Sequence, residues 1–257
     1  MDTLDVQRHD GIVTVTLSRP HRKNAVNGTM WDELLATFRE IGANTLDRVV
    51  VITGAGGDFC SGADLSGGEG GPERHQLAVM RHINDVALAL HRLPQPVIAK
   101  VRGVAVGAGC NLAIGCDLVV AGTTARFSEI FARRGMSVDF GGSWLLPRRI
   151  GLHRAKELAL LADIIDAAEA ERIGLVNRVV ADADLDEFVD GWATRIAAGP
   201  PIALAQTKRM LDSAMNVTFE EALDDEGAAQ TINLRTADTA EAIAAFIGKR
   251  EPKFQGR

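Results

Sequence analysis

Residues 97–122, VIAKVRGVAVGAGCNLAIGCDLVVAG, constrain the fold of this chain more than any other stretch. VIAKV at 97–101 is short, apolar and β-branched, which predicts a buried strand. Arg102-Gly103 turns the chain. Gly107-Ala108-Gly109 then opens a segment, CNLAIG, too polar at its start and too rich in Ala and Leu for a second strand. It predicts a helix beginning near Ala108, after which DLVVA at 117–121 returns as a strand. The first N–H groups of a helix have no internal partner and lie at the positive end of its dipole. Small residues there let a ligand oxygen reach the backbone, and an oxyanion suits the place. The same residues also describe a plain glycine turn ahead of a core helix, and the stretch by itself does not choose.

The other segments follow from pattern. GIVTVTL at 11–17 alternates and reads as a strand; SRPHRKNAVNG at 18–28 is a loop by its Pro, Asn and Gly content. Thr29 with Asp32 resembles a capping box, and Met30, Leu34, Phe38 and Ile41 predict an amphipathic helix over 30–43. Arg48 to Thr53 is a second buried strand, ending in the loop GAGGDFCSGADL at 54–65. SGGEGGP at 66–72 is a low-complexity segment; a helix marked by Leu77, Met80, Ile83, Ala87 and Leu90 follows and ends before Pro94. Strand, glycine loop and small-residue helix start thus occur twice, near 49–65 and 97–115, a weak repeat of the kind that builds a layered spiral. Helices are expected over 153–162 and 168–173, and GLVNRVV at 174–180 supplies a last short strand. From Asp184 the pattern is helical, with N-cap signatures at Thr218/Glu221 and Asp238/Glu241. Two regions are therefore expected, a layered core over 1–183 and a helical C-terminal region over 184–257.

Composition removes several functions. The net charge is −6 and the basic residues are dispersed, which argues against a nucleic-acid surface. The N-terminal MDTLDVQRHDGIVTV has no apolar signal core, and no apolar run reaches membrane-spanning length, so no membrane partner and a cytoplasmic location are expected. Cys60, Cys110 and Cys116 show neither metal-ligand nor redox spacing and read as buried thiols. No metal site is expected. Gly107-Ala108-Gly109 lacks the third glycine of a dinucleotide fingerprint, and neither a Walker loop nor a Gly-x-Ser-x-Gly elbow is present. Chemistry is left to backbone donors and carboxylates.

Four pieces in register, LSRPHRKNAV (17–26), DFCSGADL (58–65), VRGVAVGAGCNLAIGCDLVVA (101–121) and FSEIFARRGMSVDFGGSWLLPRRIG (127–151), resemble the crotonase family of enoyl-CoA hydratases and isomerases. GLVNRVV and the closing KREPKFQGR extend the resemblance nearly end to end. It implies an α/β fold, a ClpP-like spiral of ββα units with a C-terminal helical trimerisation region, and a homotrimer or dimer of trimers. It implies an acyl-CoA thioester substrate and no separate cofactor, coenzyme A being part of the substrate. Matched residue by residue, it gives Ala63 and Ala108 as the N–H donors to the thioester oxygen, with Gly107 beside them. The coenzyme A moiety is expected along Arg22, Lys23, Ala25, Ser61, Gly62, Asp64 and Leu65.

The departures from the family pattern bear on the chemistry. Hydratases of this family activate water with two glutamates; at those positions this chain has Asn111 and Phe131, neither of which serves as a general base. Both are placed beside the substrate. Asp139, in GMSVDFGGSW, occupies the segment that carries an acid/base Asp in several isomerases of the family. The sequence most resembles the ring-opening epoxyphenylacetyl-CoA isomerases and enoyl-CoA isomerases. Burial among Phe131, Val138, Phe140 and Trp144 is expected to raise the Asp139 pKa. By pattern alone Asp139 also reads as the cap of the GGSWLL helix. Glu129 lies two residues before Phe131, and on a helix that offset points to another face, so a surface position is expected. The leading expectation is an isomerase working through Asp139; a hydratase of low efficiency and a non-catalytic acyl-CoA-binding subunit are the alternatives.

Overall fold

The computed structural model describes residues 1–66 and 75–257; the low-complexity segment at 66–72 lies, apart from Ser66, outside them. The strands are β1 (Leu4–His9), β2 (Ile12–Leu17), β3 (Val49–Gly54), β4 (Val97–Val101), β5 (Val104–Val106), β6 (Leu118–Gly122), β7 (Arg126–Ser128), β8 (Ile165–Asp166) and β9 (Arg178–Val180). The helices are α1 (Gly28–Ala43), α2 (Gln76–His91), α3 (Ala108–Ile114), α4 (Gly142–Ile150), α5 (Leu152–Leu161), α6 (Ala167–Arg172), α7 (Leu185–Ala197), α8 (Pro201–Ser213), α9 (Phe219–Asn233) and α10 (Ala237–Ile247). None of them is long and apolar enough to cross a membrane.

Six strands form the main sheet in the order β1-β2-β3-β4-β6-β9, and β5-β7-β8 form a small second sheet. Only the β1–β2 pair of the main sheet is antiparallel; from β2 to β9 each neighbour is parallel. Parallel neighbours require crossovers; α1, α2 and α3 supply the first three, and the segment from β7 to α6 supplies the one between β6 and β9. Val50 and Ile52 face these helices through Leu34, Phe38, Leu90 and Leu112. Val49 and Val51 point to the opposite face, where Leu185, Val189 and Ala193 of α7 cover them. A strand buried on both faces needs no polar alternation, which is why VVVI is continuous. α7, although it follows Asp184, is thus a helix of the sheet's core.

Four strands, β1, β5, β7 and β8, do not appear in the sequence reading. β1 is an edge strand whose outer positions are exposed, so its pattern is weak. Its signal is Asp10-Gly11, both at positive φ, the dipeptide of a tight hairpin. β5 is too short for a pattern and exists by pairing with β7. Two helix starts also differ from expectation. Asn27, rather than Thr29, caps α1 by accepting the Met30 N–H at 3.0 Å. Thr236, rather than Asp238, caps α10, accepting from Thr239 at 3.2 Å. Asp238 instead receives the Gln255 and Gly256 N–H groups at 2.6 and 2.9 Å, and Glu241 pairs with Arg250 at 2.6 Å. Both carboxylates bind the C-terminal tail, a partner distant in sequence. The Thr218/Glu221 capping box forms as expected.

Candidate active site

Two loops at the ends of β2 and β3 lie side by side. The Val26 N–H donates to the Gly62 carbonyl at 2.8 Å, Asp64 N–H to Val26 at 2.9 Å and Ser61 N–H to Lys23 at 3.0 Å. The Ser61 hydroxyl adds a bond to the Arg22 carbonyl at 3.2 Å. Arg19 joins the loops through an ion pair with Asp64 at 2.9 Å. Hydrogen bonds from Ser66 and then Arg19 hold the Asp64 carboxyl down at about 2. Ala25 is buried at this seam, whereas Arg22, Lys23 and Leu65 are exposed along its rim. The Lys23 ammonium is 3.7 Å from Asp58.

The second loop then crosses to β5. The Cys60 N–H donates to Val104 and the Val106 N–H to Cys60, both at 2.9 Å. Gly62 sits at φ +96° so close to the next turn that a β-carbon on it would stand 2.8 Å from the Val106 carbonyl and 3.7 Å from the Ala108 nitrogen. A side chain there would push the loops apart. The ladder at Val26 uses the Gly62 carbonyl and the Asp64 N–H, which turns the Ala63 N–H to the opposite side. Among the described residues neither the Ala63 nor the Ala108 N–H donates to a backbone carbonyl. The Gly107 N–H donates to Ser128 at 2.8 Å, fixing this turn against β7. Two free donors brought together by rigid loops are suited to an oxygen that gains negative charge.

Asn111 lies one turn further along α3 and is fully buried. Its amide nitrogen donates to the Asp139 backbone carbonyl at 3.0 Å and to Glu129 Oε2 at 3.3 Å. The contact depends on a glycine, because a β-carbon at Gly142 would stand 2.5 Å from that nitrogen. Phe131 is buried with its ring beside Gly107. Asp139 is half-buried, its Oδ1 has no hydrogen-bond partner, and burial lifts its carboxyl to about 6. It does not cap α4. That position belongs to Gly141, and the Asp139 main-chain carbonyl, not the carboxyl, receives the Gly142 N–H at 2.9 Å. The next residue, Phe140, adopts φ +47° and stacks on Trp31 with ring centroids 5.4 Å apart. That stacked, buried ring fixes the backbone that carries Asp139.

Glu129 is not at the surface. It is 1% exposed. The helical-face argument does not apply, because β7 ends at Ser128 and Glu129 has non-helical angles (φ −91°, ψ 63°) before a short turn at Ile130–Arg134. Burial pushes its carboxyl up to about 7; hydrogen bonds from Cys110 and Asn111 oppose the rise, and the charge of Asp139 adds to it. The position of Glu129 between Phe127 and Phe131, both buried, is the sequence signal that marks it as an interior carboxyl.

By its sheet order and its small second sheet the protein has the fold of the crotonase enzymes, and solved structures bear this out. The enoyl-CoA hydratase of Bacillus anthracis superposes with a TM-score of 0.94 at 32% identity, over 99% of this chain and 100% of that one. The chain belongs to the enoyl-CoA hydratase/isomerase family, whose model matches residues 7–257. It is 37% identical to the 1,2-epoxyphenylacetyl-CoA isomerase of Escherichia coli K12, over 96% of each chain. It is 33% identical to the 2,3-dehydroadipyl-CoA hydratase of the same strain, over the full length of both.

Proposed function

We propose that the protein is an acyl-CoA isomerase in which Asp139 is the acid/base. The observation that carries this reading is the Asp139 carboxyl itself. It is half-buried, lifted to about 6, and has an oxygen without a protein partner. The family's two other acid/base positions hold Asn111 and Phe131, which do not titrate. With a β,γ-unsaturated thioester, ionised Asp139 takes the proton from the carbon next to the carbonyl. The electron pair moves onto the thioester oxygen, where the Ala63 and Ala108 N–H groups stabilise the enolate. Protonated Asp139 then returns the proton at the γ-carbon, and the double bond moves into conjugation. One carboxyl suffices, since the proton is returned and no water is consumed. The similarity to an isomerase acting on an epoxyphenylacetyl thioester supports the same assignment.

Arg22 and Lys23 on the exposed rim meet the phosphates of coenzyme A, and the thioester arm runs along Ala25 and the backbone of Ser61, Gly62, Asp64 and Leu65. Gly107, Asn111 and Phe131 bound the acyl end. Coenzyme A arrives with the substrate and no other cofactor takes part. We assign residues 184–257 to a helical region that includes the subunit contact of a trimer or a dimer of trimers. Its exposed Phe219, Phe246 and Ile247 support that assignment. The test is incubation with enoyl-, epoxy- and aromatic acyl-CoA thioesters, with products identified by mass and NMR. A product of unchanged mass with a moved double bond or an opened ring is expected. A product heavier by one water as the main outcome, or no turnover across the panel, overturns the reading.

A further inference from the structure

Glu129, Asn111 and Asp139 come from three separate elements and meet in one buried cluster. Both hydrogens of the Asn111 amide are committed, one to Glu129 Oε2 and one to the Asp139 main-chain carbonyl. Three oxygens of the cluster, Asn111 Oδ1, Glu129 Oε1 and Asp139 Oδ1, are buried without a hydrogen-bond partner. A cluster rich in acceptors and poor in donors is stable when one carboxyl keeps its proton. Glu129 is the more deeply buried of the two carboxyls. No Lys or Arg pairs with either of them among the described residues.

We infer that Glu129 is a positioning residue for the acid/base Asp139, holding it through the Asn111 amide, and that the two carboxyls share their protons as one coupled pair. Glu129 does not touch the substrate in this arrangement. Its carboxyl fixes the rotamer of Asn111, Asn111 fixes the main chain at Asp139, and the Asp139 carboxyl is held where the proton is exchanged. The groups facing Glu129 are the Cys110 thiol and Asn111 amide of α3 and Asp139 on the loop before α4. The charge that Asp139 gains or loses in each half of the reaction is therefore felt at Glu129. Where the charge of one carboxyl raises the proton affinity of another, the two titrate in macroscopic steps that belong to the pair.

The inference rests on the role given to Asp139, and the experiment separates the two. Isomerisation of β,γ-unsaturated hexenoyl-CoA is followed against pH for the wild type, Asp139→Asn, Glu129→Gln and Glu129→Leu. Binding of hexanoyl-CoA and the infrared band of a protonated carboxyl are measured alongside. Glu129→Gln keeps an acceptor for Asn111 but has no proton to share. It is expected to bind the thioester as the wild type does, to lose about three- to thirty-fold in kcat at unchanged KM, and to lose the upper of two inflections in the pH profile. Glu129→Leu removes the acceptor and is expected to lose more. The wild type is expected to show a protonated-carboxyl band at neutral pH that Glu129→Gln lacks. A Gln variant with the wild-type pH profile and kcat, while Asp139→Asn is inactive, overturns the coupling and leaves the Asp139 role intact. Full activity of Asp139→Asn overturns both. Should either Glu129 variant fail to fold, the infrared titration of the wild type decides: absence of the band at neutral pH overturns the inference.

Discussion

The side-chain amide of Asn111 donates to the main-chain carbonyl of Asp139 at 3.0 Å. A position where the family resemblance implies a glutamate in hydratases thus anchors the loop that bears the acid/base candidate. The exchange of a carboxylate for an amide removes a proton carrier and supplies a donor, and the donor is used on Asp139.

Asp139→Asn keeps size and polarity but cannot carry a proton. Isomerase turnover is expected to fall by roughly two to four orders of magnitude, about 3 to 5 kcal/mol of barrier. Affinity for a thioester should stay within a few-fold, because the Ala63 and Ala108 donors are backbone groups. Steady-state kinetics with calorimetric binding checks this. Retained turnover per folded molecule would return Asp139 to a structural role.

Hydration of crotonyl-CoA should be slow. Asn111 and Phe131 stand where the family resemblance implies two water-activating glutamates, and each missing acid/base lowers the rate on the order of a hundred- to ten-thousand-fold. Loss of the conjugated-enoyl absorbance measures it. A rate matching a two-glutamate hydratase would mean that Glu129 and Asp139 activate water between them.

Acyl-CoA thioesters should raise the melting temperature, since a ligand bound only by the native state stabilises it by mass action. NAD and ATP should not. Thermal shift at saturating ligand checks this. Replacing Arg19 with Ala should weaken the effect, because its ion pair with Asp64 joins the two loops assigned to coenzyme A.

Stability should fall as pH rises from about 5 to about 8. Glu129 and Asp139, at about 7 and about 6, hold their protons more tightly folded than unfolded. Their stabilisation is complete below the unfolded carboxyl pKa and is lost as pH climbs through the folded values. Asp64 and Asp186, held down at about 2, act in the opposite sense and only at lower pH. Glu129→Gln should remove up to about 3 kcal/mol of the loss, read from urea unfolding at both ends of the range. Parallel behaviour of wild type and variant would show that the Glu129 carboxyl is not buried in solution.

Light scattering at micromolar protein should give the mass of a trimer or hexamer. Phe219 and Phe246 are more than four-fifths exposed, at 81% and 85%, on helices with no further sheet to cover them. Apolar surface of that kind marks an interface. A stable monomer would refute the assignment.

The sequence by itself determined the buried strands of the core, the turn at Ala108 and the family, because these rest on local signals. They are apolar runs of strand length, glycines where the backbone must approach closely, and motifs in fixed order. It also singled out Asp139. It did not reveal β1, nor the small sheet of β5, β7 and β8, strands of two or three residues that exist only by pairing with one another. It misplaced the starts of α1 and α10, where several polar residues compete to cap and the outcome depends on what else each can reach. It put Glu129 on the surface, because a helical period was applied to a chain that leaves a strand there. Only the tertiary structure decided that Glu129, Asn111 and Asp139 meet. Burial and hydrogen-bond partners are set by elements distant in sequence, and a carboxyl's proton affinity follows from that assembled surrounding rather than from its neighbours along the chain.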